Sequence, residues 1–189
     1  ASITEIGDSA FAYCRGLTSI NLPASITKIG KSAFGRCSGL TSINLPASIT
    51  EIGESAFRGC SGLTSINLPA SINKIGYRTF EGCSGLTSIN IPSGITEIYD
   101  NAFANCSGLT SIYIYAENVP RMGSNAFEGV DMKNCTLYVP QGKEKYYCYA
   151  DRWNDFKNIV EFEATGIDKT TTSTDVKEIA RYSANGQRL

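Results

Sequence analysis

A 23-residue repeat runs through most of this chain and constrains its fold more than any other feature. One copy reads L-x-x-I-x-L-P-x-x-I-x-x-I-G-x-x-A-F-x-x-C-x-G. Its cysteine column contains Cys14, Cys37, Cys60, Cys83 and Cys106. A fixed period of this length is typical of a solenoid, in which each copy forms one coil stacked on the next. Stability then belongs to the array, because one coil buries too little apolar surface to fold alone.

Each coil divides into a short strand and a return path. Residues 42–45 alternate polar and apolar side chains, which predicts a strand with one inward and one outward face. Pro46 ends this strand because it lacks a backbone donor. Ile49 and Ile52 then point inward, and Ser55–Gly59 predicts one short helical turn. The predicted fold is a right-handed repeat solenoid of mostly short β-strands, with irregular or short helical turns on its convex side.

Four segments follow from this pattern. Residues 1–139 form the solenoid, with about six coils of which the sixth is degenerate. Residues 140–163 combine a short aromatic helix with a last strand and predict a C-terminal cap. Residues 164–174 are rich in threonine and predict a linker. Residues 175–189 contain a strand-like stretch and an Asn-Gly turn signal, which predicts the truncated start of another domain.

Composition argues against several classes of function. The net charge of −1 gives no basic footprint for nucleic acid, and no apolar run reaches the length of a membrane span. The chain has no histidine, so a Ser-His or Cys-His nucleophile is excluded. The absence of histidine and of any C-x-x-C pair also argues against a metal site. We therefore predict no enzyme, no catalytic residue and no cofactor.

The seven cysteines are interpreted by their position. The five in the repeat column are predicted to be reduced thiols that fill the core, because free cysteine behaves as a small apolar residue. Cys135 and Cys148 lie outside that column, and a disulfide between them remains an alternative.

The repeat resembles the BspA-like leucine-rich repeat, a class of 23-residue bacterial repeats, and the match runs from Ala1 to about Val139. The resemblance implies a leucine-rich-repeat fold and a bacterial protein that is secreted or exposed on the cell surface, associated with the outer membrane. It also implies adhesion or the binding of host proteins. The tail Ile179–Leu189 is similar to the opening of Bacteroidetes-type C-terminal sorting or anchoring domains.

One column departs from the broader leucine-rich-repeat pattern. Where other classes place a buried asparagine or cysteine, this chain has Ser25, Ser48 and Ser71. We expect the serine hydroxyls to satisfy the backbone of the turn instead.

The outward side chains of the strands form the candidate binding face, which we expect to be concave. Serines and asparagines fill two columns, and tyrosines replace them toward the C-terminal end. The alternative is that the polar side chains bond to their copies in the next coil and that the tyrosines pack onto the degenerate coil. The candidate residues are Ser42, Asn44, Ser65, Asn67, Ser88, Asn90, Ser111, Tyr113, Tyr115 and Tyr138.

A further column alternates in charge through Glu5, Lys28, Glu51, Lys74 and Glu97. Opposite charges on stacked coils attract weakly, and a slip by one coil would bring like charges together. We interpret this column as structural, because alternating charges cancel the field that a polyelectrolyte ligand would need.

Three hypotheses for function remain. The first is a module that binds a host extracellular-matrix protein, a mucosal protein or a surface glycan through the candidate face. The second is a structural spacer, which the near identity of the coils favours. The third and weakest is a β-solenoid enzyme acting on polysaccharides. In addition, Ile3, Ile6 and Phe11 predict either upstream repeats or end-to-end self-association, because they lie at an open end.

Overall fold

The computed structural model describes residues 2–163, which form a solenoid of short parallel strands with little helix. The predicted linker (164–174) and the predicted tail (175–189) lie outside the described residues. Two series of strands follow the coils, one on the Ser–Asn face and one on the charged face. The Ser–Asn face, which carries the candidate residues, contains β3 Ser42–Ile43, β5 Ser65–Ile66, β7 Ser88–Ile91, β9 Ser111–Ile114, β11 Thr136–Pro140 and β12 Asn158–Phe162. The charged face contains β1 Glu5–Ile6, β2 Lys28–Ile29, β4 Glu51–Ile52, β6 Lys74–Ile75, β8 Glu97–Ile98 and β10 Arg121–Met122.

The strands of the Ser–Asn face alternate as the sequence predicts. Ile43 and Ile66 are buried, and Ser42 and Ser65 point outward in register with each other. Toward the C-terminal end, β7, β9, β11 and β12 join into one four-stranded sheet. The regular spacing of the repeat therefore produces one continuous column of side chains from each strand position.

The strands of the charged face were not predicted, because they are only two residues long and show no alternation. They place Glu5, Lys28 and Glu51 in one register, and Lys74, Glu97 and Arg121 in another. Ion pairs join Lys28 to Glu51 at 3.5 Å and Arg121 to Glu97 at 3.0 Å. The column of alternating charges thus runs across the hydrogen-bonded strands of the charged face.

The predicted helical turn at Ser55–Gly59 is wrong. Ser55 and Gly59 have φ values of 56° and 72°, which a right-handed helix does not allow. The segment forms consecutive turns in which the amide of Ala56 bonds within its own coil and that of Phe57 bonds to Thr79 of the next coil. Alternate amides therefore bind the two coils together, and this is why the left-handed residues recur every coil.

A column of phenylalanines forms the centre of the core. Phe11, Phe34, Phe57, Phe80, Phe103 and Phe127 stack with ring centroids 5.1 to 5.6 Å apart and nearly parallel planes. Apart from Phe11, these rings are buried. The core is therefore continuous along the whole array, as the repeat predicts.

The segment after the sixth coil covers the last ring of this column. Its elements are the helix α1 Glu144–Tyr149, a 3-10 helix Trp153–Asp155 and the strand β12. Trp153 and Phe156 pack against Phe127, and the Trp153 indole donates to the carbonyl of Pro120 at 2.8 Å. The indole thus satisfies its donor while its rings close the apolar column.

Cysteines of the repeat column have a second role besides filling the core. Cys37, Cys60, Cys83 and Cys106 are buried, and each thiol lies 2.9 to 3.2 Å from a phenylalanine carbonyl of the preceding coil. Burial raises the pKa of Cys60 and of Cys106 to about 12, so both stay protonated and donate. Cys14 departs from the prediction and is exposed, because no described coil stacks on its side.

Cys135 and Cys148 do not form a disulfide. Cys135 is buried immediately before β11, whereas Cys148 is exposed on α1. Both are free thiols, so the alternative of a cross-link between them is wrong.

Candidate functional site

Hydroxyl groups in the regular coils are used to join one coil to the next. Ser25 and Ser48 each donate to an isoleucine carbonyl of the preceding coil at 2.6 Å, and Ser71 donates to the carbonyl of Ile49. This confirms that serine takes over the role of the missing asparagine column. Threonines add a further series of such bonds at 3.2 to 3.3 Å, from Thr27, Thr41, Thr50, Thr64, Thr96 and Thr110.

The candidate face is uniform over the first coils and aromatic at its C-terminal end. Asn21 pairs with Asn44, and Asn67 pairs with Asn90, through isolated bridges between consecutive coils. In the next coil, Asn90 is in register with Tyr113, which is in register with Tyr138. The face therefore carries a polar column that ends in two tyrosines on adjacent strands.

These two tyrosines stack on each other. The ring centroids of Tyr113 and Tyr138 are 4.3 Å apart, and the planes differ by 8°. Burial, followed by the neighbouring Tyr138, raises the pKa of Tyr113 to about 12. The Tyr113 hydroxyl therefore remains a hydrogen-bond donor at physiological pH. Each ring therefore covers one face of the other, and the Tyr113 hydroxyl is hydrogen-bonded to the side chains of Tyr138 and Ser111.

Phe162 completes this cluster, and sequence reasoning did not assign it to the site. Its ring meets Tyr115 edge-on at 5.2 Å and Tyr113 edge-on at 6.1 Å. Val160 follows Tyr138 in register and is 44% exposed. The signal was present in the alternation of Asn158–Phe162, whose outward positions end in an aromatic residue. We call Tyr113, Tyr115, Tyr138, Val160 and Phe162 the aromatic end.

The structure thus brings the three candidate tyrosines together, with Ser111 and Asn90 next to Tyr113, and leaves the candidate serines and asparagines of the earlier coils apart from them. The outward positions from Ser42 to Asn90 form polar columns along the first coils, and Ser111 begins the strand that carries Tyr113. Tyr113, Tyr115 and Tyr138 are half-buried. The rings of the aromatic end therefore pack against one another and remain partly exposed. That the cluster binds a ligand stays a prediction.

A cleft lies on the other side of the sixth coil. It is lined by Met122, Phe127 and Met132 below, and by Glu128, Arg152 and Asp155 at its rim. The Arg152 guanidinium donates to the carbonyl of Met122 at 2.7 Å and so helps to close the cleft. Between residues 2 and 163, no group of three or more cysteine, aspartate or glutamate side chains has a metal-binding arrangement. Within the same range, no helix is long and apolar enough to span a membrane.

At the other end of the array, Ile3 is 66% exposed, and Ile6 and Phe11 are partly buried. The predicted association through this end stays a prediction.

Solved structures that are similar to this chain include bacterial leucine-rich repeat proteins. A leucine rich repeat protein of T. pallidum (TpLRR) is 35% identical over 59% of this chain and 52% of its own, with a TM-score of 0.57. A leucine-rich repeat protein of Bacteroides ovatus is 29% identical over 86% of this chain and 46% of its own, with a TM-score of 0.60. The pneumococcal vaccine antigen PcpA shares the fold at 17% identity, over 78% of this chain and 42% of its own, with a TM-score of 0.58.

This chain spans about half the length of the first two structures. No curated protein sequence matches it. Both structures are named as leucine-rich repeat proteins. The model of the BspA type leucine rich repeat region matches residues 2–144 in six copies. This chain is therefore a member of the BspA-type leucine-rich repeat family.

Proposed function

We propose that this chain is a secreted or surface-exposed bacterial module that binds a protein partner through the aromatic end of its Ser–Asn face. The family and its structural relatives support an interaction module built from repeats. They also support an extracellular or surface location, and PcpA is a vaccine antigen by its own description. The partner class is a host extracellular-matrix or mucosal protein.

The observation that carries this proposal is the clustering of Tyr113, Tyr115 and Tyr138 where the repeat symmetry is lost. Tyrosine offers a large contact area at a small cost in side-chain entropy, and it is enriched at binding hot spots. Tyr113 and Tyr138 stack on each other but are only half-buried, so both keep exposed surface that a partner can contact. The mixed apolar and polar character of tyrosine suits the surface of a protein.

The spacer is the second candidate, and the uniformity of the coils favours it. From Thr41 to Thr110, the hydroxyls of the regular coils bond to neighbouring coils, so these side chains serve the array itself. A spacer would need nothing more than this. A spacer role does not explain the clustering of aromatic side chains at the aromatic end.

Retention of the chain on an array of immobilised extracellular-matrix and mucosal proteins tests the proposal. The key variant is Tyr113→Asn with Tyr138→Asn, because asparagine fills the same column in the preceding coils. The matched control is Asn44→Ala with Asn67→Ala on the same face. We expect the tyrosine variant to lose binding and the control to keep it. If the chain retains no protein, the spacer is the better account; if both variants bind equally, the aromatic end is not the binding site.

A further inference from the structure

The sheet on the charged face is divided between the third and fourth coils. Strand β4 pairs with β2, whereas β6 pairs with β8, so β4 and β6 belong to different sheets. In neighbouring coils the amides of Gly30, Gly53 and Tyr99 donate to an isoleucine one coil back at 2.8 to 2.9 Å. Within residues 2–163, the equivalent amide of Gly76 makes no such bond. At this division, therefore, the Gly76 amide does not hydrogen-bond to the Ile52 carbonyl.

The two coils are also farther apart at this point. A Cβ placed on Gly53 would come within 2.7 Å of the backbone of the preceding coil, whereas one placed on Gly76 would stay 3.9 Å away. Ile52 is partly exposed, although the equivalent Ile29 and Ile75 are buried. We call this opening, with Ile52 and Gly76 on its two sides, the coil gap.

Two tyrosines lie beside the coil gap, in columns that hold other residue types elsewhere. Tyr77 takes the position of the charged Lys31 and Glu54, and Tyr99 takes the position of a glycine. Their ring centroids are 4.7 Å apart with planes inclined by 51°, and Tyr77 is 44% exposed. A pair of tyrosines is therefore held at the surface instead of in the core.

Neighbouring side chains hold this pair in place. A hydrogen bond to Glu97 is the main reason that the pKa of the Tyr99 hydroxyl is raised, and Glu97 in turn pairs with Arg121 at 3.0 Å. Thr79 replaces the alanine of its column, and its hydroxyl donates to the carbonyl of Gly76 at 2.9 Å. The substitutions that break the repeat are thus gathered at one place on the charged face.

Polar groups near the gap are mixed donors and acceptors. The Gly76 amide and the Lys74 ammonium donate, and the Ile52 carbonyl accepts. Lys74 stands in register with Glu97, but it forms no ion pair within the described part of the chain. The site therefore offers an aromatic ring, a partly exposed aliphatic side chain, two donors and one acceptor.

We propose that the coil gap and the tyrosine pair form a saccharide-binding site, with a sugar ring on the open face of Tyr77. A pyranose has an apolar C–H face for the aromatic ring and hydroxyls that both donate and accept, which fits the mixed groups of the gap. A protein partner fits less well, because a stable interface covers about 800 Å² on each side. The ion pairs Lys31–Glu54 and Arg121–Glu97 flank the site and would lose solvation under such a partner.

This site is on the charged face and is independent of the aromatic end. The test is a titration of the ¹⁵N-labelled full chain with lactose, diacetylchitobiose, mannobiose and 3′-sialyllactose, followed by amide shifts in NMR spectra. We expect at least one saccharide to shift the Gly76 and Tyr77 amides to saturation. The variant Tyr77→Lys with Tyr99→Gly uses residues that other coils carry in these columns, Lys31 and Gly53, and its lysine would lie between the acidic Glu54 and Asp100, so it should fold. It should weaken binding at least about tenfold.

Tyr149→Ala is the control, because Tyr149 is the most exposed tyrosine described, at 89%. It should bind the same saccharide with unchanged affinity. The proposal is overturned if none of the four saccharides shifts the Gly76 amide, or if Tyr77→Lys with Tyr99→Gly binds as well as the parent chain. Capture of a protein through Tyr77 and Tyr99 without any response to saccharides would overturn the sugar assignment too.

Discussion

The regular coils and the C-terminal end of the solenoid use their polar and aromatic side chains differently. In the regular coils, serine, threonine and cysteine side chains bond to the backbone of the coil before, as Ser48 and Cys60 do. At the C-terminal end, tyrosines replace asparagine in the same column, and Tyr113 packs against Tyr138 and Phe162. The comparison separates residues that bond one coil to the next from an aromatic cluster that lies where the repeat changes, and this cluster is the one that we propose for a partner.

The largest effect on the regular coils should come from the phenylalanine column. Phe57→Ala removes a fully buried ring that stacks on Phe34 and Phe80. We expect a loss of about 3–5 kcal/mol in the free energy of unfolding, because the ring leaves a cavity between coils that cannot close. Chemical denaturation measures it, and Phe57→Leu is the control with a smaller loss. A loss below about 1 kcal/mol would mean that the coils do not share one core.

A smaller effect separates the two serine columns of one coil. Ser48→Ala removes the hydroxyl that donates to the carbonyl of Ile26, and that carbonyl loses its side-chain donor. We expect a cost of about 1–2 kcal/mol. The control Ser42→Ala lies in the same coil but faces solvent, and its cost should be below about 0.5 kcal/mol. Equal losses in denaturation experiments would contradict the division into building and outward columns.

The smallest effect concerns the C-terminal segment and depends on pH. Amides of Gly142, Glu144 and Lys143 bond to Glu161 and hold its pKa below the ordinary value of 4.5. A lowered pKa stabilises the folded state fully above pH 4.5, and this contribution is lost as the pH falls through the folded-state pKa. Glu161→Gln should therefore be less stable than the parent at pH 7.

The difference between Glu161→Gln and the parent chain should vanish in acid. Thermal unfolding at a series of pH values measures it, with the exposed Glu144→Gln as the control for a general charge effect. A difference that stays constant from pH 7 to below the folded-state pKa would show that the amides do not bind the charged carboxylate.

Much of the fold could be predicted from the sequence, because in a stacked repeat each column repeats its surroundings. The inward positions of Ile43 and Phe57 and the bonding of Ser48 followed from one copy of the repeat. The strands of the charged face did not, since Lys28–Ile29 has no alternation and pairs only through stacking. The turns at Ser55 were mistaken for helix because their left-handed φ values leave no mark in residue type.

The candidate site was predicted in part for a related reason. Tyr113 and Tyr138 stand out because they occupy a column of asparagines, but Phe162 belongs to no repeat copy. Tyr77 and Tyr99 lie in separate columns, so nothing in one column shows that their rings meet. The contacts between coils decide which departures from the repeat form a cluster.

Binding by the two matched variants of the Ser–Asn face tests the central claim most directly. On the array of extracellular-matrix and mucosal proteins, Tyr113→Asn with Tyr138→Asn should weaken retention of a bound partner at least about tenfold. Asn44→Ala with Asn67→Ala should change it less than about twofold, because rim and scaffold positions contribute little. Equal retention of both variants, or greater loss from the asparagine variant, would contradict the claim that function lies where the repeat is lost.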